Sequence, residues 1–194
     1  VARDLAAWYP SRGKEIAVKR PDVNAFRENG TVAGVQVEVH APEAAPRYSG
    51  ITLDNIRTGP SPLWMQERLR MAGIRPISNV VDITNYVMLE TGQPLHAFDR
   101  EHIQGDIVVV RMADAGSRFV TLDGQEHILD GEDLMICNQK EPMCIGGVFG
   151  GLGSGVTDRT TSIFLESAWF HPAFIRRTSR RHGLKTDASF RFER

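Results

Sequence analysis

Cysteine is scarce in this chain of 194 residues: there are two, Cys137 and Cys144, with six residues between them and no CxxC pair. That excludes a disulfide framework and suits a reducing compartment such as the cytoplasm. Neither cysteine has paired histidines at zinc spacing, so no metal site is expected, and both thiols read as small apolar strand residues. An excess of charge of either sign is missing as well. A formal net charge of −1 gives no global case for nucleic-acid binding, so any basic surface must be local. No apolar run approaches membrane-spanning length, and no signal-peptide pattern opens the chain. The sequence starts at Val1 rather than Met and stops at Arg194 inside a patterned segment, so it reads as a piece of a longer polypeptide.

What is present is an ordinary globular composition, long enough for a hydrophobic core. Residues 1–8 allow one or two helical turns. The mixed, charged stretch that follows, punctuated by Pro10, Gly13 and Pro21, makes residues 1–30 an N-terminal connecting segment and residues 31–194 the folded module. Alternation of Val35, Val37 and Val39 with Gln36 and Glu38 predicts a half-buried strand over Val32 to His40, and a second strand is expected near Ile51 to Ile56. Gly59-Pro60-Ser61-Pro62 announces a helix with Ser61 as N-cap and Pro62 in the first helical position, stopped by Gly73. Val80, Ile83, Thr84, Val87 and Met88 line one side of a helix from Val80 to Glu90, which Gly92 ends. Strands are then expected over Ile107 to Met112, Arg118 to Leu122, Glu126 to Leu129, Leu134 to Cys137, Met143 to Val148 and Ile163 to Phe170, with Asp123-Gly124 turning a hairpin. His171-Pro172 opens a helix to about Arg181, stopped by Gly183, and Phe190 and Phe192 alternate with arginines as a strand would. Helices grouped early and strands grouped later predict an α+β fold, not a parallel βαβ sheet.

Four features carry chemistry. Gly92-Gln93-Pro94-Leu95-His96-Ala97-Phe98-Asp99 sets His96 on a Pro-braced turn, either as a packed histidine among Leu95, Ala97 and Phe98 or as a functional one. Gly146 to Gly155 holds six glycines but no Gly-Lys-Ser/Thr and no dinucleotide fingerprint. The glycines form a turn with a bulge, or they let backbone approach a ligand. Ser154 lacks the nucleophile-elbow glycines, since Leu152 and Val156 stand in their places. Glu166 interrupts an apolar strand, where a carboxylate either points to solvent or is held for a purpose; alternation sets it on the face of Phe164 and Ala168, which weakens the solvent reading. Finally, the stretch from His171 to Arg194 has seven Lys or Arg against two acids, which is either a solvated helix face or a patch facing phosphates.

Several segments in order then resemble one family: Pro-Arg-Tyr-Ser-Gly (46–50), Asn-Val-Val-Asp-Ile-Thr-Asn-Tyr-Val-Met (79–88), Gly-Gln-Pro-Leu-His-Ala-Phe-Asp (92–99), Gly-Gly-Val-Phe-Gly-Gly (146–151), Leu-Glu-Ser-Ala (165–168) and Lys-Thr-Asp-Ala-Ser-Phe-Arg-Phe-Glu-Arg (185–194). Over about Arg47 to Arg194 the chain is similar to the B3/B4 editing region of bacterial phenylalanyl-tRNA synthetase beta subunits. The resemblance implies an α+β module with β-sandwich-like strands and packed helices. It implies hydrolysis of tyrosine wrongly esterified to phenylalanine tRNA, in a cytoplasmic enzyme of protein biosynthesis. Carried over by motif, Glu166 would bond the tyrosine phenol, and His96 and Thr84 would line the ester end. Pro94, Gly147, Gly150, Thr186 and Ala188 would complete the pocket. Arg176, Arg177, Arg180, Arg181 and Lys185 would contact tRNA. No cofactor is implied in this region; ATP and magnesium, and contacts with the alpha subunit, belong to other parts of the parent enzyme. A tRNA-binding or subunit-bracing module without catalysis is the alternative.

Overall fold

The structure, a computed structural model, describes residues 2–30 and 33–194. The chain divides into two compact units, Val1–Ala33 and Gly34–Arg194. In the first, helix α1 (Ala2–Trp8) runs into a 3-10 turn (Tyr9–Arg12), and neither buries a side chain. Within it the Arg12 guanidinium stacks 4.3 Å from the centre of the Trp8 ring, and the Ser11 hydroxyl donates to the Trp8 carbonyl.

The second unit begins with strands β1 (Gln36–Val39) and β2 (Arg47–Asp54), then helices α2 (Leu63–Met71) and α3 (Asn79–Thr91). Strands β3 (Leu95–Asp99), β4 (Ile107–Met112), β5 (Arg118–Val120) and β6 (Glu126–Ile128) follow. β7 (Leu134–Cys137), β8 (Pro142–Ile145), β9 (Phe149–Gly150) and β10 (Ser162–Trp169) complete the strands, before helices α4 (Pro172–His182) and α5 (Asp187–Phe192). The first expected strand is found over Gln36–Val39, and Val32 lies outside the described residues.

The strands form a five-stranded sheet in the order β1-β4-β7-β8-β9, a three-stranded sheet β2-β10-β3 and the hairpin β5-β6. The α+β class is therefore as expected. One pair, β1 with β4, is parallel, and the others are antiparallel. All four residues of β7, the central strand of the larger sheet, are buried, as a strand covered on both faces requires. Phe98, Phe164 and Ala168 from the smaller sheet join Val108, Val110, Ile136 and Ile145 from the larger one in a single core, with Ile175 of α4. Among the described residues no helix is long and apolar enough to cross a membrane.

Four local expectations are corrected. Pro62, not Ser61, precedes the first turn of α2, and the Ser61 hydroxyl instead donates to the buried Asp82 carboxylate of α3, which also accepts from the Ile77 amide at 2.8 Å. That bond satisfies a buried charge, which outweighs a cap. His96 sits within β3 rather than on a turn, because β10 pairs with this segment along its length. The strand expected over Met143 to Val148 ends at Ile145, where Gly146 and Gly147 turn the chain into β9. The segment Phe190 to Phe192, expected as strand, is helical. Thr186 and Ser189 form a reciprocal capping box at the start of α5, and Ala188 and Phe192, four residues apart, face inward while Phe190 stays exposed.

Candidate active site

β10 is the spine of the site. As the middle strand of its sheet it pairs Glu166 with His96 of β3 on one side and with Gly50 of β2 on the other. Residues directly opposite in an antiparallel ladder share a face, so the carboxylate and the imidazole project to the same side. That side is the buried one: Phe164, Glu166 and Ala168 are all buried, while Leu165 and Ser167 between them are half-buried.

A small cleft of about 60 Å³ opens over this pair, well below the usual range for ligand pockets. Pro94, Leu95 and His96 form one wall, and Cys144 of β8 with Glu166 forms the floor. The turn and short strand Gly147 to Gly150 cover it, and Ala188 and Phe192 of α5 close it. Gly147 has φ 68°, and a Cβ there would meet the Phe170 ring at 2.8 Å. A Cβ on Gly150 would meet Leu122 at 2.9 Å and His96 Cε1 at 3.2 Å, so its absence leaves the imidazole edge room. The glycine cluster is thus a hairpin turn whose tip forms the roof of the cleft.

Burial sets the protonation states. The Glu166 carboxyl is pushed up to about 7 by its removal from water, against a hydrogen bond from the Tyr48 phenol that draws it down. Tyr48 Oη donates to Glu166 Oε2 at 2.5 Å. His96 is lowered to about 4 by burial, so its ring is neutral at physiological pH. That ring packs edge-on against Phe98 at 4.4 Å between centroids and has no hydrogen-bond partner among the described residues. Burial also pushes the Cys144 thiol well above its ordinary range, which removes its nucleophilic form. The Ser154 hydroxyl is spent on the Met143 carbonyl at 2.8 Å.

Of the pocket residues expected from the sequence, His96, Glu166, Pro94, Gly147, Gly150 and Ala188 line this one cleft. Thr84 and Thr186 do not. Thr84 lies on α3 with its hydroxyl donating to the Val81 carbonyl at 2.8 Å. Thr186 caps α5 and donates to the Val148 carbonyl at 3.0 Å, tying the roof of the cleft to its closing helix from behind. Sequence reasoning missed Tyr48 and Cys144. Tyr48 stands in the segment 46–50 that carries the resemblance, but its partner is 118 positions away, and only the pairing of β2 with β10 brings them together.

The basic residues divide. Arg177 and Arg181 turn toward the acidic loop at 130–133, with Arg181 Nη1 2.6 Å from the buried Asp133 carboxylate. Arg176 donates to the Glu193 carbonyl. Arg180 and Lys185 have no ion pair among the described residues. They line an open groove with Ser179, Gly183, Thr186, Ser189, Phe190 and Glu193. Among the described residues no group of three or more His, Cys, Asp or Glu side chains is placed to hold a metal ion.

Comparison with known proteins gives this geometry a family. The model of the B3/4 domain matches residues 44–194. Phenylalanine–tRNA ligase beta subunits from Bacteroides fragilis and Carboxydothermus hydrogenoformans are 54% and 45% identical over 194 residues, all of this chain and 24% of each relative. The chain thus spans about a quarter of the length of these curated relatives. An N-terminal fragment of the phenylalanyl-tRNA synthetase beta subunit from Pyrococcus horikoshii shares the fold at a TM-score of 0.53 and 13% identity, over 79% of this chain and 50% of that one. The chain belongs to the B3/4 domain family, in the form carried by phenylalanine–tRNA ligase beta subunits.

Proposed function

We propose that this module edits: it hydrolyses the ester that joins a wrongly attached tyrosine to phenylalanine tRNA, within a synthetase that ligates phenylalanine to that tRNA using ATP and magnesium bound elsewhere and pairs with an alpha subunit through other regions. One observation carries the reading, the placement of Glu166 and His96 opposite each other on the floor and wall of one small cleft. A synthetic pocket shaped for phenylalanine rejects an isostere with one added hydroxyl only weakly, by about a hundredfold for such sites. A second site must therefore select for the hydroxyl itself. A tyrosine ring in this cleft donates its phenol to Glu166, whereas a phenylalanine ring leaves the carboxylate buried without that partner, a difference of about 1–3 kcal/mol.

At the ester, water adds to the carbonyl carbon, the bond to the ribose oxygen breaks, and that oxygen leaves with a proton, giving free tyrosine and intact tRNA. A base held near pH 4 takes a proton from water poorly. His96 accordingly acts by hydrogen-bonding, holding the water or the terminal ribose, and the roof at Gly147 to Gly150 supplies backbone close to the aminoacyl group. The groove with Arg180 and Lys185 supports tRNA contact, which a tRNA-binding module without catalysis would also need.

The test is deacylation of tyrosyl- and phenylalanyl-tRNA by the complete enzyme, with and without Glu166→Ala. The parent cleaves the tyrosyl ester faster, and the variant loses that preference by about tenfold or more. Equal rates for parent and variant on the tyrosyl ester reject the role of Glu166. No cleavage by either leaves the tRNA-binding module as the reading.

A further inference from the structure

The carboxylate that is to read a phenol already holds one. We propose that Tyr48 is a positioning residue of the cleft: its hydroxyl pins Glu166 through Oε2, so that Oε1 alone is presented to an incoming hydroxyl group. The proposal rests on the editing reading above and adds to it the device that aims the selecting group.

The geometry supports each part. Tyr48 Oη lies 2.5 Å from Glu166 Oε2, the short distance of a charge-assisted bond. Oε1 makes no hydrogen bond among the described residues, and it is not among the buried polar atoms shut off from both solvent and partners, so it opens to the cleft. Tyr48 is opposite Ala168 in the ladder and reaches Glu166 on the diagonal, because the residue facing Glu166 is Gly50. The space a side chain at Gly50 would need is filled by the Phe164 ring, whose Cζ stands 1.9 Å from where the Cβ would be. The Tyr48 ring is in turn backed by Phe170 at 6.5 Å, and Phe170 by Phe192 at 5.1 Å. A glutamate has three side-chain torsions; with one oxygen held, few orientations of the other remain.

The bond also sets when the carboxylate is ionised. The titratable groups facing Glu166 are Tyr48 from β2, His96 from β3 and Cys144 from β8, while α5 contributes only Ala188 and Phe192. Burial holds the carboxyl near 7 and the Tyr48 bond draws it down, so loss of that bond moves it further up. Tyr48→Phe keeps the ring and removes the donor.

If Tyr48 were only an aromatic core residue with a satisfied hydroxyl, Tyr48→Phe would lower stability and leave selectivity and its pH dependence alone. The experiment compares the complete parent enzyme, Tyr48→Phe and Glu166→Gln in tyrosyl- and phenylalanyl-tRNA deacylation across the neutral range. Alongside it, carboxyl NMR follows the Glu166 titration in the 194-residue chain and its Tyr48→Phe form. The expected result is a loss of tyrosyl preference of about tenfold in Tyr48→Phe at neutral pH. Its acid limb moves to higher pH, with a matching upward move of the Glu166 midpoint. If Glu166→Gln abolishes the preference and Tyr48→Phe keeps it with an unmoved acid limb, the positioning role is overturned and the editing reading stands. If the parent shows no tyrosyl preference, the editing reading fails, and the NMR midpoint alone decides whether Tyr48 governs Glu166. Should Tyr48→Phe not fold, the phenol titration of the chain is read instead in Glu166→Gln. Among only three tyrosines, Tyr48 must then titrate lower than in the parent, and an unchanged curve rejects the coupling.

Discussion

Glu166 and His96 face each other with shifts of opposite consequence for stability. His96 titrates near 4 in the folded chain against an ordinary 6.5, so the unfolded chain takes up its proton first, and stability present above about pH 6.5 is lost as pH falls toward 4. Glu166 titrates near 7 against 4.5, so its contribution is full below about pH 4.5 and is lost as pH rises through 7. Each change is worth about 3 kcal/mol, and the two oppose over the shared window. We expect unfolding free energy of the parent to be nearly flat between pH 4.5 and 6.5, other groups aside, while Glu166→Gln gains about 3 kcal/mol relative to it as pH rises through that window. Urea midpoints at several pH values check this; parallel curves for parent and variant would show that the carboxyl is not held protonated. At Gly147 the limit is steric. Gly147→Ala sets a Cβ at φ 68° and 2.8 Å from the Phe170 ring, for an expected loss of about 2–4 kcal/mol in denaturant unfolding.

Helix α4 is held by one buried carboxylate as well as by its apolar side. Asp133, fully inaccessible, accepts from Thr178 at 2.9 Å, from Arg181 at 2.6 Å and from His182 at 2.7 Å, three successive contacts along the helix. Burial pushes its carboxyl up, but the Asp130 amide, His182 and Thr178 outweigh it and hold it below the ordinary value. Asp133→Ala removes the buried acceptor of Thr178 and His182, while Arg181 keeps Glu132 at 3.1 Å and Asp130 at 3.5 Å, and we expect a loss of about 1–3 kcal/mol, measured by chemical denaturation. A drop below about 1 kcal/mol would mean that Ile175 and the remaining polar contacts of α4 hold the helix without Asp133. None of this network was legible in the sequence, where the arginines of α4 read as a free basic run. The helices α3 and α4 and the strands β4, β7 and β10 were legible because each has one periodicity and clear end signals. The last helix was not, since Phe190-Arg191-Phe192 alternates like a strand, and only the Thr186 and Ser189 spacing argued otherwise. Pro94, His96, Gly147, Gly150, Glu166 and Ala188 of the cleft were read from motifs, whereas Cys144 in its floor was read only as an apolar strand residue. Tyr48 could not be, because a hydrogen bond across 118 positions leaves no local pattern.

The charge of the whole molecule is near balance, so contact with a polyanion rests on where cations are left over. Arg177 and Arg181 are neutralised by the loop at 130–133, whereas Arg180 and Lys185 face the groove beside α5. Arg180→Ala and Lys185→Ala should each weaken tRNA binding and lower the salt slope by about one, whereas Arg177→Ala leaves the slope nearly unchanged. Binding titrations over a range of salt check this, and equal slopes for all three variants would reject the division. The cleft itself has a consequence for biosynthesis. Its parts are drawn from β2, β3, β8, β9 and β10, and α5 closes it only at residues 188 and 192. Emerging from the ribosome in order, the chain completes the imidazole and the carboxylate before α5, which supplies the last wall of the cleft. A nascent chain halted at Gly183 therefore carries the imidazole and the carboxylate without the wall that α5 adds to the cleft.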